Sequence, residues 1–363
     1  MGITSLPSPS QGTPAAGKRG QGLLSFLMAR WVIFFLVLET LFFCLKSPGF
    51  ANLNSAQILL FYGTQTFLLS IGELFVIVTG GIDLSVGYVL GFASIISIKI
   101  IVWLTAIGLP PLLAIFAGVL CTLAIGLIPG LINGWLVAWL KVPPFIATFS
   151  MLGVCEGVSE LIINGVYATG LPQLAANIGS GRLLYIVPGG PAEFFNRPNV
   201  ARGTKIFDII PNIVIVAAVI ICIFGFVLAR MKFGRHVYAI GGNVDAAIRS
   251  GIPVKRRLLQ VYALSSFMAS LAGIAYAFMY VSGKADAGAS ILLDSIAAVM
   301  IGGASMFGGS GTVVRTMVGS LIIAVLEQGL RMSGTPTFNI YILVGIILIL
   351  AVIMERYVPQ TRR

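Results

Sequence analysis

MKFGRHVYAIGGNVDAAIRSGIPVKRRLL, residues 231–259, is the one long polar and basic stretch in an otherwise oily chain. Apolar runs flank it, Ile213–Leu228 before and Val261–Val281 after. It sets Lys232, Arg235, Arg249, Lys255, Arg256 and Arg257 against a single acid, Asp245. Between two membrane-length runs, a loop this basic belongs on the cytoplasmic face, where lysine and arginine accumulate. Within it, Asp245-Ala246-Ala247 followed by Gly251-Ile252 has the spacing of a short surface helix that a cytoplasmic partner could grip.

Working outward, the chain of 363 residues is 58% hydrophobic and only 10% charged. A soluble domain carries about 25% charged residues, so the composition argues strongly against a soluble globular fold. The net charge of +11 does not point to nucleic acid, because the basic residues sit in short segments between apolar spans rather than on one face. Cys44, Cys121, Cys155 and Cys222 fall in or beside apolar runs without metal-ligand spacing, and read as small buried hydrophobes. No metal site is expected.

A spanning helix needs about 20 mostly apolar residues. About ten candidates follow: 31–46, 55–80, 84–105, 111–139, 143–163, 211–229, 259–282, 291–308, 312–332 and 337–355. The expected fold is therefore all-α, a polytopic integral membrane protein with about ten transmembrane helices, some interrupted by glycine-rich breaks. Residues 1–30 read as a disordered cytoplasmic tail, 31–355 as the transmembrane domain and 356–363 as a second cytoplasmic tail. Within the domain, 164–210 is an extracytoplasmic loop and 230–258 the cytoplasmic loop. With both termini inside, the cytoplasmic segments hold three basic residues in the first tail, Lys141, seven from Arg230 to Arg257, Arg315 and three at the C-terminus. The outside segments hold seven. That asymmetry has the sense of the positive-inside rule. The Val187-Pro188-Gly189-Gly190-Pro191 sequence marks a turn in the outer loop.

Two glycine clusters interrupt the helical pattern. One is Thr79-Gly80-Gly81-Ile82-Asp83-Leu84-Ser85-Val86-Gly87; the other runs from Ile301 through Gly302 and Gly303 to Gly311. Glycine at membrane depth permits close helix approach or local unwinding beside a cavity, so Gly80, Gly81, Asp83, Gly302 and Gly303 are candidates for a translocation path. Asp83 reads first as the N-cap of a helix starting near Leu84, with solute contact the alternative. Glu73, Glu156, Glu160, Asp294 and Glu327 lie in or near spans, where acids usually face a cavity or a partner.

Catalysis finds no residues to carry it. His236 is the only histidine, which excludes an HExxH site, and neither GxSxG nor CxxC occurs. GTPAAGK at 12–18 nears a phosphate-binding loop, but Arg19 stands where Ser or Thr would hold magnesium, and no strand precedes it. ATP hydrolysis is expected on another chain.

TGGIDLSVG (79–87), PPFIAT (143–148), FGRHVYAIGGNVDAAIRSGI (233–252) and DSIAAVMIGGASMFGGSG (294–311), in this order and spacing, resemble the permease family of ribose-type bacterial ABC importers, the monosaccharide group. The likeness covers roughly residues 30–355. It implies that Asn243, Asp245, Ala246, Ala247, Gly251 and Ile252 form the segment that docks into an ATPase subunit. It further implies a permease of the bacterial inner membrane that carries a monosaccharide or similar polar solute. The expected partners are two cytoplasmic ATPase subunits holding Mg-ATP, an extracytoplasmic solute-binding protein, and a second permease copy or paralogue, all in membrane lipid. Two departures stand out: Asp245 where the family more often has Glu, and a long polar segment at 192–205. The alternative from another class is an ion-coupled secondary transporter, which would need ionisable residues clustered at the midplane.

Overall fold

The computed structural model describes residues 18–187, 190, 192–194, 198, 200 and 206–357. Five long helices open the chain: α1 (Lys18–Lys46), α2 (Leu53–Val78), α3 (Val86–Ala106), α4 (Pro111–Ala138) and α5 (Pro144–Ile163). A smaller unit follows, α6 (Gln173–Ser180) with β1 (Arg182–Ile186), β2 (Ala192–Phe194) and β3 (Phe207–Pro211). Then come α7 (Asn212–Arg230), the short α8 (Lys232–Gly242) and α9 (Val244–Arg249), and α10 (Val254–Tyr280), α11 (Ala289–Ile301), α12 (Val313–Met332) and α13 (Thr337–Tyr357).

Each of the ten expected spans overlaps one helix. Among the described residues seven helices are long and apolar enough to cross a membrane, namely α2, α3, α4, α5, α7, α10 and α12. The chain is a polytopic membrane protein. Helix α11 is short, at 13 residues, because Gly302 and Gly303 end it.

Local chemistry explains the starts. Asn52 caps α2 by accepting from Ser55 N at 2.7 Å. Prolines open α4 and α5 at their first helical positions, where a missing N–H costs nothing. Helix α2 is the buried centre, and α10 lies against α2, α3 and α4. Gly126, Gly130 and Gly134 make a stripe on α4 that lets it sit directly on α10. A methyl group at each would come within 2.8 Å of Ser270 Cβ, 2.7 Å of Ser266 Cβ and 2.7 Å of Leu259 Cα. Close backbone approach of this kind is how helices associate where the solvent is itself apolar. Helix α7 packs Ile220, Phe224 and Val227 on the core and leaves Val216, Val219, Ile223 and Phe226 exposed on an apolar face, as a lipid-facing helix should.

Three expectations change. The all-α expectation meets a three-stranded antiparallel sheet, order β2-β1-β3, with Leu184 opposite both Phe194 and Ile209. Its strands are short and flanked by glycine and proline, with Leu184, Tyr185, Ile186, Phe207, Ile209 and Ile210 among their residues, and a loop outside the bundle has no long apolar face to bury as a helix. The 1–30 tail changes too: 1–17 lie outside the described residues, but 18–30 are helical and continue into α1. Leu23, Leu24, Phe26, Leu27 and Met28 are good helix formers or apolar residues, with no proline to stop them. Of the cysteines, all free, only Cys155 is buried; Cys121 and Cys222 lie on exposed helix faces. The expected turn at 187–191 falls partly on residues outside those described, with Gly190 N bonded to Val187 O at 2.9 Å. Residues 358–363 of the C-terminal tail also lie outside.

Candidate functional site

The basic stretch folds as two short helices meeting at Asn243. That residue ends α8, its N–H bonding Ala239 O at 3.1 Å, and begins α9, its Oδ1 accepting from Ala246 N at 2.9 Å. Gly251 ends α9 at φ +77°. Its N–H bonds Ile248 O and the Ile252 N–H bonds Ala247 O, both at 3.0 Å. These are the paired bonds of a Schellman stop, and the left-handed position is why glycine stands there. Ala247 is buried against Ile240 and Val254, with Ile252 packed on the same cluster. Ala246 and Asp245 face outward with Val244 and Ile248. The two alanines therefore divide their work: Ala247 anchors α9 to its own chain, and only Ala246 is free to meet another surface.

Both glycine breaks end in the same stop. At the first, Gly80 has φ +82°, with Gly80 N bonded to Ile77 O at 2.8 Å and Gly81 N to Val76 O at 3.1 Å. At the second, Gly303 has φ +79°, with Gly303 N bonded to Met300 O at 2.8 Å and Ala304 N to Val299 O at 3.2 Å. Gly81 and Gly302 serve close approach instead: a methyl group on Gly81 would meet the Tyr262 hydroxyl at 2.5 Å, and one on Gly302 the Arg315 carbonyl oxygen at 2.7 Å.

Asp83 does not cap a helix. Helix α3 begins at Val86 with Ser85 as its cap residue. The Asp83 carboxylate accepts from Ser85 N at 3.0 Å and Ser85 Oγ at 2.5 Å, a turn bond two residues ahead. Its second oxygen accepts from Ser265 Oγ of α10 at 2.8 Å, and Asn133 Nδ2 of α4 donates to Ser85 Oγ at 3.0 Å. Glu73 closes the cluster by accepting from Asp83 N at 3.1 Å. Glu73, Asp83, Ser85, Asn133 and Ser265 are all fully buried, so the first break is pinned to α2, α4 and α10 from within.

The structure brings the breaks and the basic stretch together. Gly309 N donates to Val78 O at 2.9 Å, joining the second break to the first. Tyr238 of α8 donates its hydroxyl to Gly311 O at 2.6 Å. Gly241, in the last turn of α8, lies so close that a methyl group on it would stand 2.5 Å from Gly309 N and 2.9 Å from the Val78 carbonyl carbon. Gly241 and Tyr238 were not singled out from sequence. The consecutive glycines at 241–242, placed where a helix should continue, are the one signal that marked the spot. Nearby, Arg257 Nε donates to His236 Nδ1 at 3.0 Å. Desolvation and the charges of Arg257, Arg235 and Lys232 hold His236 below the ordinary imidazole value.

At the opposite ends of the same helices lies a cavity of about 590 Å³ between α2, α10, α11 and α12. Tyr62, Gln65 and Thr66 line it from α2, and Tyr276 and Tyr280 from α10. Asp294 of α11 meets Glu327 and Arg331 of α12 there, with Lys284 at the rim. Two of the five acids read from the sequence, Asp294 and Glu327, thus share one wall within hydrogen-bonding reach; Glu156 and Glu160 sit on α5 and do not line it. Among the described residues no group of histidine, cysteine and acids could hold a metal ion.

The family described as branched-chain amino acid transport system / permease component matches residues 55–352. The xylose transport system permease protein XylH of Haemophilus influenzae is 36% identical over 350 residues, covering 86% of this chain and 91% of that one. The ribose import permease protein RbsC of Bacillus subtilis is 37% identical, covering 80% of each chain. The fructose import permease protein FrcC of Rhizobium meliloti is 35% identical, covering 78% of this chain and 73% of its own. No solved structure matches. With its spans, its two glycine breaks and its exposed α9 in the order the sequence resemblance requires, the chain belongs to this permease family, in the ribose-type group of ABC importers.

Proposed function

We propose that the chain is the permease subunit of an ABC importer in the bacterial inner membrane, carrying a monosaccharide or similar small polar solute. In this reading both termini and the α8–α9 loop are cytoplasmic, and the basic content of 230–257 supports that side for the loop. The single observation that carries the reading is the unbroken contact from α9 through α8 to both glycine breaks. A cytoplasmic ATPase seated on Val244, Asp245, Ala246 and Ile248 would displace α9, and through Gly241 and Tyr238 that displacement reaches the ends of α2 and α11. The cavity between α2, α10, α11 and α12 then lies toward the outside, where a solute-binding protein delivers its cargo. A second copy or a related permease completes the path. ATP is bound and hydrolysed on the partner ATPase, which drives transport only by binding one permease state better than the other.

The relatives named for xylose, ribose and fructose support a sugar as the cargo. The ion-coupled alternative wants ionisable residues at the midplane; Glu73 and Asp83 are buried in a packed cluster instead, held by serine hydroxyls and backbone. Vesicles containing the chain, its ATPase and its binding protein should take up sugar with ATP and stop with vanadate. Uptake driven by an ion gradient without ATP would overturn the reading. Cysteine labelling from outside should reach 164–187 and spare 240–255; the reverse pattern would invert the topology.

A further inference from the structure

The turn between α10 and α11 does not stay outside the helices it joins. Helix α10 ends on Val281 in the left-handed conformation, at φ +50°, a costly place for a β-branched residue. The chain then reverses and runs back along α3. Gly283 exchanges two backbone hydrogen bonds with Ala168, both at 2.9 Å. A methyl group on Gly283 would stand 3.0 Å from the Ser94 carbonyl oxygen, one on Gly91 would collide with the Ala285 carbonyl oxygen, and one on Gly87 with that of Gly288. Gly87, Gly91 and Ser94 belong to the first half of α3, so residues 283–288 lie about 18–28 Å short of its far end at Ala106, at 1.5 Å per residue. Beyond the bridge at Gly283 they are turn and irregular chain.

Irregular backbone at membrane depth persists only against protein or water. Helix α3 covers one side of this segment. On the other, Lys284 Nζ and Asp286 Oδ1 pair at 3.1 Å, with the Asp286 side chain 59% exposed. An ion pair does not face hydrocarbon, so this side meets water. Its surroundings agree. The charges of Glu156 on α5 and of Asp286 both act on Tyr88 of α3. The outward face of α5 carries Ser150 and Glu160, with Glu156 half-buried at its edge, whereas that of α7 offers lipid Val216, Val219, Ile223 and Phe226. We propose that residues 281–288 are a re-entrant segment lining the aqueous translocation path, and that this path runs over the α3–α5 face, past Asp286, Tyr88 and Glu156. That face is open in a single chain, so the second permease completes it. The proposal rests on the reading of the chain as a transport subunit, and adds which of its faces the solute passes.

The test uses the assembled complex, permease with its ATPase and binding protein, in lipid nanodiscs. Asp286→Cys, Glu156→Cys and Val219→Cys are treated with a membrane-impermeant cationic methanethiosulfonate, with and without ATP and vanadate. Mass spectrometry reads the labelling site by site, so the natural cysteines stay in place. Only a thiolate reacts, and an apolar surround suppresses it, so Asp286→Cys and Glu156→Cys should label about tenfold faster than Val219→Cys. The natural Cys222, on the lipid face of α7, should stay unlabelled. In vesicles the same reagent should remove most of the uptake that each of the two variants shows beforehand. Thermal melts establish folding, and Glu156→Cys carries the comparison if Asp286→Cys melts low. Reaction as slow as that of Val219→Cys in every condition, or labelling that leaves uptake unchanged, overturns the proposal. Fast labelling in a complex whose natural chain shows no ATP-driven uptake sinks the transport reading and leaves the water-lined segment standing; ATP-driven uptake with unreactive cysteines does the opposite.

Discussion

Replacing Gly241 by alanine adds one methyl group, and the structure says where it goes. It would lie 2.5 Å from Gly309 N and 2.9 Å from the Val78 carbonyl carbon, and closer still to the Val78 oxygen. A relaxed contact between such atoms needs about 3.5 Å, so α8 must withdraw by at least about 1 Å from the two breaks. The obstacles are backbone atoms of helix ends, which cannot rotate away as a side chain can. Overpacking of this kind costs about 1–3 kcal/mol, enough to shift the balance between packed and separated arrangements about tenfold or more. Gly242→Ala is the internal control: nothing lies within 4 Å of the added methyl, and alanine in a helix is favoured over glycine by about 0.5–1 kcal/mol. Both variants are assayed in vesicles with the partner ATPase and binding protein, by sugar uptake and ATP hydrolysis, with thermal melts alongside. Gly242→Ala should transport normally and melt no lower than the natural chain. Gly241→Ala should keep the ATPase bound, melt lower, and lose most uptake per ATP hydrolysed. Indistinguishable uptake by the two variants would show that the contact between α8 and the breaks transmits nothing.

Other expectations are simpler to state. Gly251→Val forces a β-branched residue to φ +77°, a strain of about 1–2 kcal/mol or more, and should loosen the end of α9 so that ATPase co-purification falls while membrane insertion is normal. Ala246→Arg should block ATPase binding on a folded chain, whereas Ala247→Arg, at a buried position, should lower the melting temperature before any partner is added. Asp83→Leu strips the acceptor from Ser85 and Ser265 in a fully buried cluster, at about 1–3 kcal/mol for each group left unsatisfied; Asp83→Asn, which keeps one acceptor, should be milder in the same melt. His236 should be neutral at pH 7, so its bond from Arg257 is present at neutral pH. That contribution is lost as pH falls through the lowered folded value, and an acid melt of His236→Gln should lack this component.

Much of this was readable from residue order. The spans follow from apolar runs, and α9 follows from Asn243, the small alanines and Gly251, because caps and stops are local. The glycine breaks were visible too, but not their purpose. Gly80 and Gly303 were read as path candidates, and the structure adds that each stops a helix, a role that lies in φ rather than in composition. Asp83 looked like a cap because Leu-Ser followed it; its decisive partner, Ser265, is 182 positions away. The meeting of Gly241 with Val78 and Gly309, and of Asp294 with Glu327, depends on how separate helices cross, and no local pattern encodes that. The sheet at 182–211 was missed because a polar outer loop carries no long run to read.

Asn243 closes one helix and opens the next, leaving no spare residue between α8 and α9. With no slack at the joint, a displacement of the outer rod has no loop to absorb it before it reaches the inner one. Length is then the guarded quantity. On the proposed docking, a changed side chain on the exposed face of α9 should alter how firmly the ATPase holds on, whereas one extra residue at the elbow should let it grip and turn over while the membrane end stands still.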